Sequence, residues 1–399
     1  MVASTTPAFR RLIRPGDPWP DPAVVQAEQS NTSVGYGGTL LLKLFRRLEE
    51  GVNPDLEVGR FLTEQAAFPH IPAAAGALEY VRGMTKPMTV GILQAFVPNE
   101  GDAWKFTLDT LRTYLDEVRT LQPEENEPPL ARHAPLLDVA ASEPPPPAHE
   151  LIGPYLETAR LLGQRTGELH AALAAGEEPA FVPEPVTTLY QRSLYQSMRS
   201  MAAEVFRLVR AKAKDVPQLV QVLDLEQDVL RRLHRVLDTK ITGFRIRTHG
   251  DLHLGQVLYT GRDFVFIDFE GEPARPLSER RIKRSPLRDV AGMIRSFHYA
   301  GYTALWSLAG GPPLQENPSF LEPWIVFWYQ WVAGAFLRSY LEVPSVARIL
   351  PSSREEVGVL LEVLLLEKSL YELRYELNNR PDWVKIPIEG ILQQLEGPD

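Results

Sequence analysis

A chain of 399 residues exceeds the usual size of one domain, so two lobes with a sizeable core are expected. Its 42 Lys+Arg against 51 Asp+Glu leave a formal net charge of −9, which argues against nucleic acid or an anionic membrane as the main partner. With no cysteine there is no disulfide, thiolate metal site or cysteine nucleophile, a composition that suits a reducing cytoplasm, the expected localisation.

The N-terminal stretch "MVASTTPAFRRLIRPGDPWPDP" has no apolar segment of the secretory kind, and about 20 residues precede the first expected strand. "AVVQAE" (23–28), the polar turn "QSNTS" (29–33), "VGY" (34–36), the Gly37-Gly38 hairpin and "TLLLKLF" (39–45) predict a three-stranded meander. After "NPDL", with Asn53 or Asp55 as cap, "EVGRFLTEQ" (57–65) has helical spacing. "GALEYVR" (76–82) and "TVGILQAFV" (89–97) read as two more strands. Residues 1–98 are therefore expected to form an N-terminal lobe, a small sheet carrying one helix.

Residues 99–399 are assigned to a larger, helical C-terminal lobe that opens with "NEGDAWKFTLDTLRTYLDEVRTL" (99–121). The segment 122–150 contains eight prolines and is expected to be an extended or mobile loop. Helices are predicted over 151–175, 186–213, 216–237, 287–308, 319–341 and 353–379. Between them, "QVLYT" and "DFVFIDF" flank the turn Gly261-Arg262-Asp263 as an embedded hairpin. The apolar run "WIVFWYQWVAGAFL" (324–337) is broken by Gln330 and is too short to span a membrane. Trp324, Trp328 and Trp331 within it have the spacing of a buried helix face. The fold class is α+β and bilobal, a small β-rich lobe followed by a mainly helical one.

Phosphoryl transfer to an alcohol needs an orienting carboxylate, a metal held by oxygen ligands and a cation on the nucleotide phosphates. Asp251, in the tight turn of "RTHGDLHLGQVL" (247–258), is the candidate for the first, and Asp268, at the end of the apolar strand "FVFI", for the second. Lys43, alternating with Leu42 and Leu44 in a strand, is the candidate cation, with Glu57 on the next helix as its expected ion-pair partner. Each residue alone has a bland reading, but their joint order points to a kinase.

The stretches "EQSNTSV", "LLKLFRRLEEGVNPDLEVGRFL", "HGDLHLGQVL", "FIDFEGEPARPLSERRIKRSPLRDVAGMIRSFHYA" and "EKSLYELRYELNNRPDW" resemble the aminoglycoside-phosphotransferase-like kinases, a branch of the protein-kinase-like fold, and within them look like the maltokinases. The resemblance implies ATP- and Mg²⁺-dependent phosphorylation of maltose at its anomeric hydroxyl to maltose 1-phosphate, which feeds glycogen synthesis from trehalose, with trehalose synthase as a functional partner. It also implies that Gln256, where related loops carry Asn, is a metal ligand beside Asp268 and Glu270, because both amides offer a hard carboxamide oxygen. Where protein kinases cover phosphate with a Gly-rich loop, this sequence has Ser30, Asn31, Thr32 and Ser33. Gln94 and Phe96, in the segment that joins the lobes, are expected beside adenine. A full N-terminal cap of the kind that longer maltokinases carry is not expected.

On the helix 353–379, Val363, Leu366, Leu370, Leu373 and Leu377 form the core stripe. A second face carries Lys368, Tyr371, Glu372, Tyr375, Glu376 and Asn379; the resemblance assigns Lys368, Tyr371, Tyr375, Glu376 and Asn379 to the sugar together with His253. A glucosamine-type kinase would share every nucleotide-side residue and differ only at that face. A kinase-like binding module without turnover is the other alternative.

Overall fold

The structure, a computed structural model, describes residues 1–399 except 15, 17, 18, 20, 26–30, 84, 122–127, 129–133, 273, 274, 309–319 and 397–399. The chain folds as two compact units, each built from three stretches: 1–103, 169–183 and 246–284 in the first, and 104–168, 184–245 and 285–399 in the second. This differs from a linear division at 98/99, since 169–183 and 246–284 pack with the sheet.

In chain order the N-terminal elements are β1 (Val2–Thr5), α1 (Pro7–Leu12), β2 (Pro22–Val25), β3 (Asn31–Tyr36), β4 (Leu40–Phe45), α2 (Pro54–Glu64), β5 (Ala74–Tyr80) and β6 (Met88–Ala95). The strands form one sheet of order β1-β5-β6-β4-β3-β2, antiparallel throughout. Gly37 and Gly38 turn the β3–β4 hairpin at φ +55° and +69°, a conformation in which a Cβ would clash with the backbone. Asn53 caps α2, its side chain accepting from the amides of Asp55 and Leu56. Phe45, Leu56, Ala77 and Ile92 make the core between α2 and the sheet.

Two expectations are corrected in this region. Residues 31–33 of the predicted polar turn belong to β3, because their pairing with β4 supplies the backbone hydrogen bonds a turn would leave open. The N-terminus is also not a bare lead-in: β1 pairs with β5, Val2 opposite Glu79 through Thr5 opposite Gly76.

The rest of the chain comprises α3 (Ala103–Val118), α4 (Leu136–Ala141), α5 (Tyr155–Leu173), the two-residue β7 (Glu184–Pro185), α6 (Thr188–Lys212), α7 (Glu226–Asp238) and the two-residue β8 (Phe244–Arg245). There follow β9 (Val257–Tyr259), β10 (Phe264–Phe266), α8 (Leu277–Arg280), α9 (Leu287–Leu308), α10 (Glu322–Glu342), α11 (Arg354–Asn379) and α12 (Lys385–Glu396). The Pro-rich segment is not uniformly extended: α4 forms within it and packs on α10, where Val139 closes on Gly334 and Arg338 donates to the Ala140 carbonyl at 2.6 Å. Trp324 and Trp328 are buried, with Phe297 and Phe336 nearby, as the helix spacing predicts, whereas Trp331 is only half-buried. Among the described residues no helix is long and apolar enough to cross a membrane.

Candidate active site

Alternation along β4 turns Lys43 toward the face that α2 covers, with Ser33 opposite it on β3 and Ile92 on β6. The side chain is buried, at 7% exposure. Its Nζ lies 3.1 Å from Asp55 Oδ2, 2.6 Å from Asp268 Oδ1 and 2.7 Å from Glu270 Oε1. Burial alone would lower the lysine pKa, but the three carboxylates outweigh it and hold the group well above its ordinary range.

The partner on α2 is therefore Asp55, not Glu57. Two residues along a helix are about 200° apart, so the two acids point to different sides. Asp55 shares a stripe with the buried Val58, Gly59 and Leu62, whereas Glu57 turns away and binds Arg247 at 2.9 Å and Arg281 at 2.6 Å. Asp55 also accepts from the Phe269 amide at 3.0 Å through its second oxygen.

The hairpin β9–β10 brings the two halves of the candidate site together. Gly250 has φ +88°, and a Cβ there would lie 3.3 Å from the Gly271 Cα, so the turns carrying Asp251 and Asp268 approach through their glycines. His249 Nε2 lies 2.8 Å from the Ile267 carbonyl, and its ring packs against Phe269 at 4.8 Å. This histidine joins one loop to the other. The Ile267 amide donates to the Gln256 carbonyl at 3.0 Å. Asp268 has φ +65°, a left-handed conformation costly for a side-chain-bearing residue and one that concentrates at functional turns.

A cavity of about 190 Å³ is lined by Asn31, Asp251, Gln256, Asp268 and Glu270, with Arg280 at its wall. Asn31 Nδ2 donates to Glu270 Oε1 at 2.8 Å, and Gln256 Nε2 to Asp268 Oδ2 at 3.2 Å. Burial raises the Asp268 pKa, but Lys43 overcomes this and holds it below the carboxylate range. Glu270 is pushed up by burial and by Asp268, against the pull of Lys43. Asp55, Asp268 and Glu270 offer oxygen atoms within 4.8 Å of one another, the spacing of a cation site. Asp55 already uses both oxygens on Lys43 and the Phe269 amide. Asp268 is likewise engaged, through Oδ1 on Lys43 and Oδ2 on the Gln256 amide, but unlike Asp55 it lines the cavity, so Asp268, Glu270 and the Gln256 carboxamide are the candidate hard-oxygen set for Mg²⁺.

Other expected residues are placed differently. Ser33 is buried with its hydroxyl unpartnered among the described residues, and Thr32 turns to the other face, where its hydroxyl accepts from Arg46. Ser30 lies outside the described residues. His253 caps the turn 254–256, its Nδ1 accepting from the Gly255 amide. Gln94 sits within β6 between β4 and β5, and Phe96, past the strand end, is exposed and donates its amide to Thr39.

The candidate sugar face lies on α11 in the second unit. Its core stripe is fully buried as expected, from Val363 to Leu377. Lys368 sits over the Tyr371 ring at 4.9 Å, while Tyr375 is exposed and receives Asn379 Nδ2 on its carbonyl. Glu372 and Glu376 are buried rather than presented to solvent: Glu372 pairs with the buried Arg295 at 2.8 Å, and Glu376 accepts from Arg380 Nη2 at 2.7 Å and from the Tyr299 hydroxyl at 3.2 Å. Sequence reasoning missed Arg380, which stacks over Trp383 at 4.7 Å and Tyr375 at 5.6 Å.

Residues 109–271 match the phosphotransferase enzyme family. The chain is 24% identical over 367 residues to a glucosamine kinase of Streptacidiphilus jiangxiensis, covering 90% of this chain and 70% of that one. It is 26% identical over 286 residues to a glucosamine kinase of Mycolicibacterium smegmatis, covering 70% of this chain and 59% of that one. A solved glucosamine kinase in complex with glucosamine, ADP and inorganic phosphate superposes with a TM-score of 0.69 at 19% identity, over 98% of this chain and 78% of that structure. The chain thus has the bilobal, kinase-like fold of the aminoglycoside-phosphotransferase-like kinases.

Proposed function

We propose that this chain is an ATP-dependent sugar kinase whose acceptor is an amino sugar of the glucosamine type. The observation that carries the reading is one cavity in which Asp251, Gln256, Asp268 and Glu270 converge, with Lys43 ion-paired to both acids of the strand-end turn. The glucosamine kinases similar to this chain over most of its length support the acceptor class.

In this reading Asp251 orients the acceptor hydroxyl and takes its proton as the new bond forms. Lys43, aligned by Asp55, places a fixed positive charge beside the nucleotide phosphates. Asp268, Glu270 and the Gln256 carboxamide would hold Mg²⁺, with the amide turned so that its oxygen faces the ion. Magnesium, when bound, supplies charge neutralisation on the phosphoryl oxygens. The protein's share is positioning and electrostatics.

A second reading, maltose as acceptor with a trehalose synthase supplying it, rests on a specific feature. The polar and aromatic face of α11 that runs into "NNRPDW" is the stretch that resembles the maltokinases.

ADP release with Mg-ATP, measured separately with glucosamine, maltose, glucose and no acceptor, tests both readings. Glucosamine-dependent turnover that falls about 10²–10⁴-fold in Asp251→Asn is the expected outcome. Turnover with maltose alone would transfer the assignment to the second reading, and silence with every sugar would overturn both.

A further inference from the structure

The basic run "ERRIKR" (279–284) and the acid Glu57 are not used by the mechanism above, yet they form one connected structure in the first unit. Arg247, four residues before Asp251, is buried at 3% exposure. Its Nη2 donates to Glu57 Oε2 at 2.9 Å and its Nη1 to the Arg281 carbonyl at 2.7 Å, while its guanidinium lies 5.9 Å from the Phe181 ring centre. Arg281 in turn donates through Nε and Nη2 to the two oxygens of Glu57, at 3.1 and 2.6 Å.

The neighbours of Arg281 are anchored as well. Arg280 binds Glu49, Lys283 donates to the carbonyls of Pro179 and Val182 at 2.7 Å, and Arg284 exchanges both backbone hydrogen bonds with Ile246 at 2.9 Å. The run is thus a buckle, four of its six members, Arg280, Arg281, Lys283 and Arg284, being fastened to different parts of the unit.

We infer that Glu57 is a positioning residue of the catalytic loop: with Arg247 and Arg281 it forms a three-member clamp that fixes α2 to the segment leading into the Asp251 turn. This rests on the kinase reading above and extends it. Helix α2 then governs both halves of the site. Asp55 sets the Asp268 side through Lys43 and the Phe269 amide, and Glu57 sets the Asp251 side through Arg247. The planar guanidinium fork makes the attachment directional, so the clamp fixes an orientation as well as a distance. Without the carboxylate, Arg247 would be a buried charge with its compensation removed, and the chain around it would shift to hydrate it.

Glu57→Gln and Arg281→Gln test the clamp, each read by steady-state kinetics and by amide exchange of peptides covering 247–258 and β5–β6. Turnover is expected to fall on the order of 10- to 100-fold, as for a small displacement of a catalytic group, with the KM for ATP nearly unchanged. Exchange should speed up in 247–258 and stay at the wild-type rate in β5–β6. The double variant should lose little more than the worse single one, because both substitutions open the same clamp. Wild-type turnover together with wild-type exchange in 247–258 would overturn the inference. So would acceleration spread evenly over the unit, which would mark a stability contact and no more. If the wild type phosphorylates no sugar, the kinase reading fails and the exchange pattern alone decides the clamp. If Glu57→Gln does not fold, the half-buried Arg281 variant carries the same comparison.

Discussion

At the scale of single residues, Lys43 decides how the site is balanced. One buried ammonium faces three carboxylates, and Asp268 is held below its ordinary pKa by it. A depressed carboxylate contributes stability that is present above its ordinary value of 3.8 and is lost as pH falls through the folded-state value. Lys43→Met leaves Asp55, Asp268 and Glu270 within 4.8 Å of one another without the ammonium that draws the Asp268 and Glu270 pKa values down, so those two rise and the variant gains stability as pH falls. The variant should be about 3–5 kcal/mol less stable than wild type near pH 8. The gap should narrow toward pH 5 as the crowded acids take up protons, and narrow further in stronger acid as the wild type loses its own term. Urea unfolding at both pH values checks this, and a pH-independent gap would mean that the three groups are not ionised together. Asp55 itself was legible: an acid on the stripe it shares with Val58, Gly59 and Leu62 is an acid on a buried face. Glu57 is the equally plausible partner from its place in the helix alone, and only the phase of the helix separates the two.

At the scale of elements, legibility followed the strength of local signals. The β3–β4 and β9–β10 hairpins were found because glycine or a Gly-Arg-Asp turn stands between apolar runs, and α11 because its stripe from Val363 to Leu377 repeats over about four turns. β1 carries no such signal: "VAST" becomes a strand because β5 offers it an edge, a tertiary cause that the sequence does not display. α4 was hidden by the prolines around it and is held by its packing on α10. Gly76 shows how closely β1 is fitted, since a Cβ there would lie 2.6 Å from the Ser4 carbonyl oxygen. Gly76→Val should therefore dislodge β1 and cost about 1–3 kcal/mol. Turnover should be retained, because β5 and β6 stand between β1 and the strand that carries Lys43. Thermal unfolding and limited proteolysis of the N-terminus read the first effect and ADP release the second. Loss of activity at full stability would show instead that this edge of the sheet acts on the site.

At the scale of the whole molecule, the chain returns to the first unit twice after leaving it, so neither unit is one continuous stretch. A reading that moves along the sequence assigns a boundary where composition changes. It does not register that 169–183 and 246–284 come back to the sheet, because the contacts that bring them back are made by single residues far apart in sequence. Phe181 stacks on Phe61 with ring centres 3.7 Å apart, the Phe266 amide donates to the His70 carbonyl, and Asp268 and Glu270 supply two of the three carboxylates on Lys43. A fragment of residues 1–103 keeps all six strands of the sheet but loses each of these contacts. It retains Lys43 with Asp55 alone, exposes the Phe61 face of α2, and has no partner for the Phe269-binding oxygen of Asp55. Such a fragment should unfold without a cooperative transition in urea and give poorly dispersed amide resonances. The reason is that the β9–β10 hairpin is part of the structure that makes the sheet stable as well as part of the candidate site. Cooperative unfolding of the isolated fragment would refute this and would mean that the hairpin is an addition to a sheet already stable by itself.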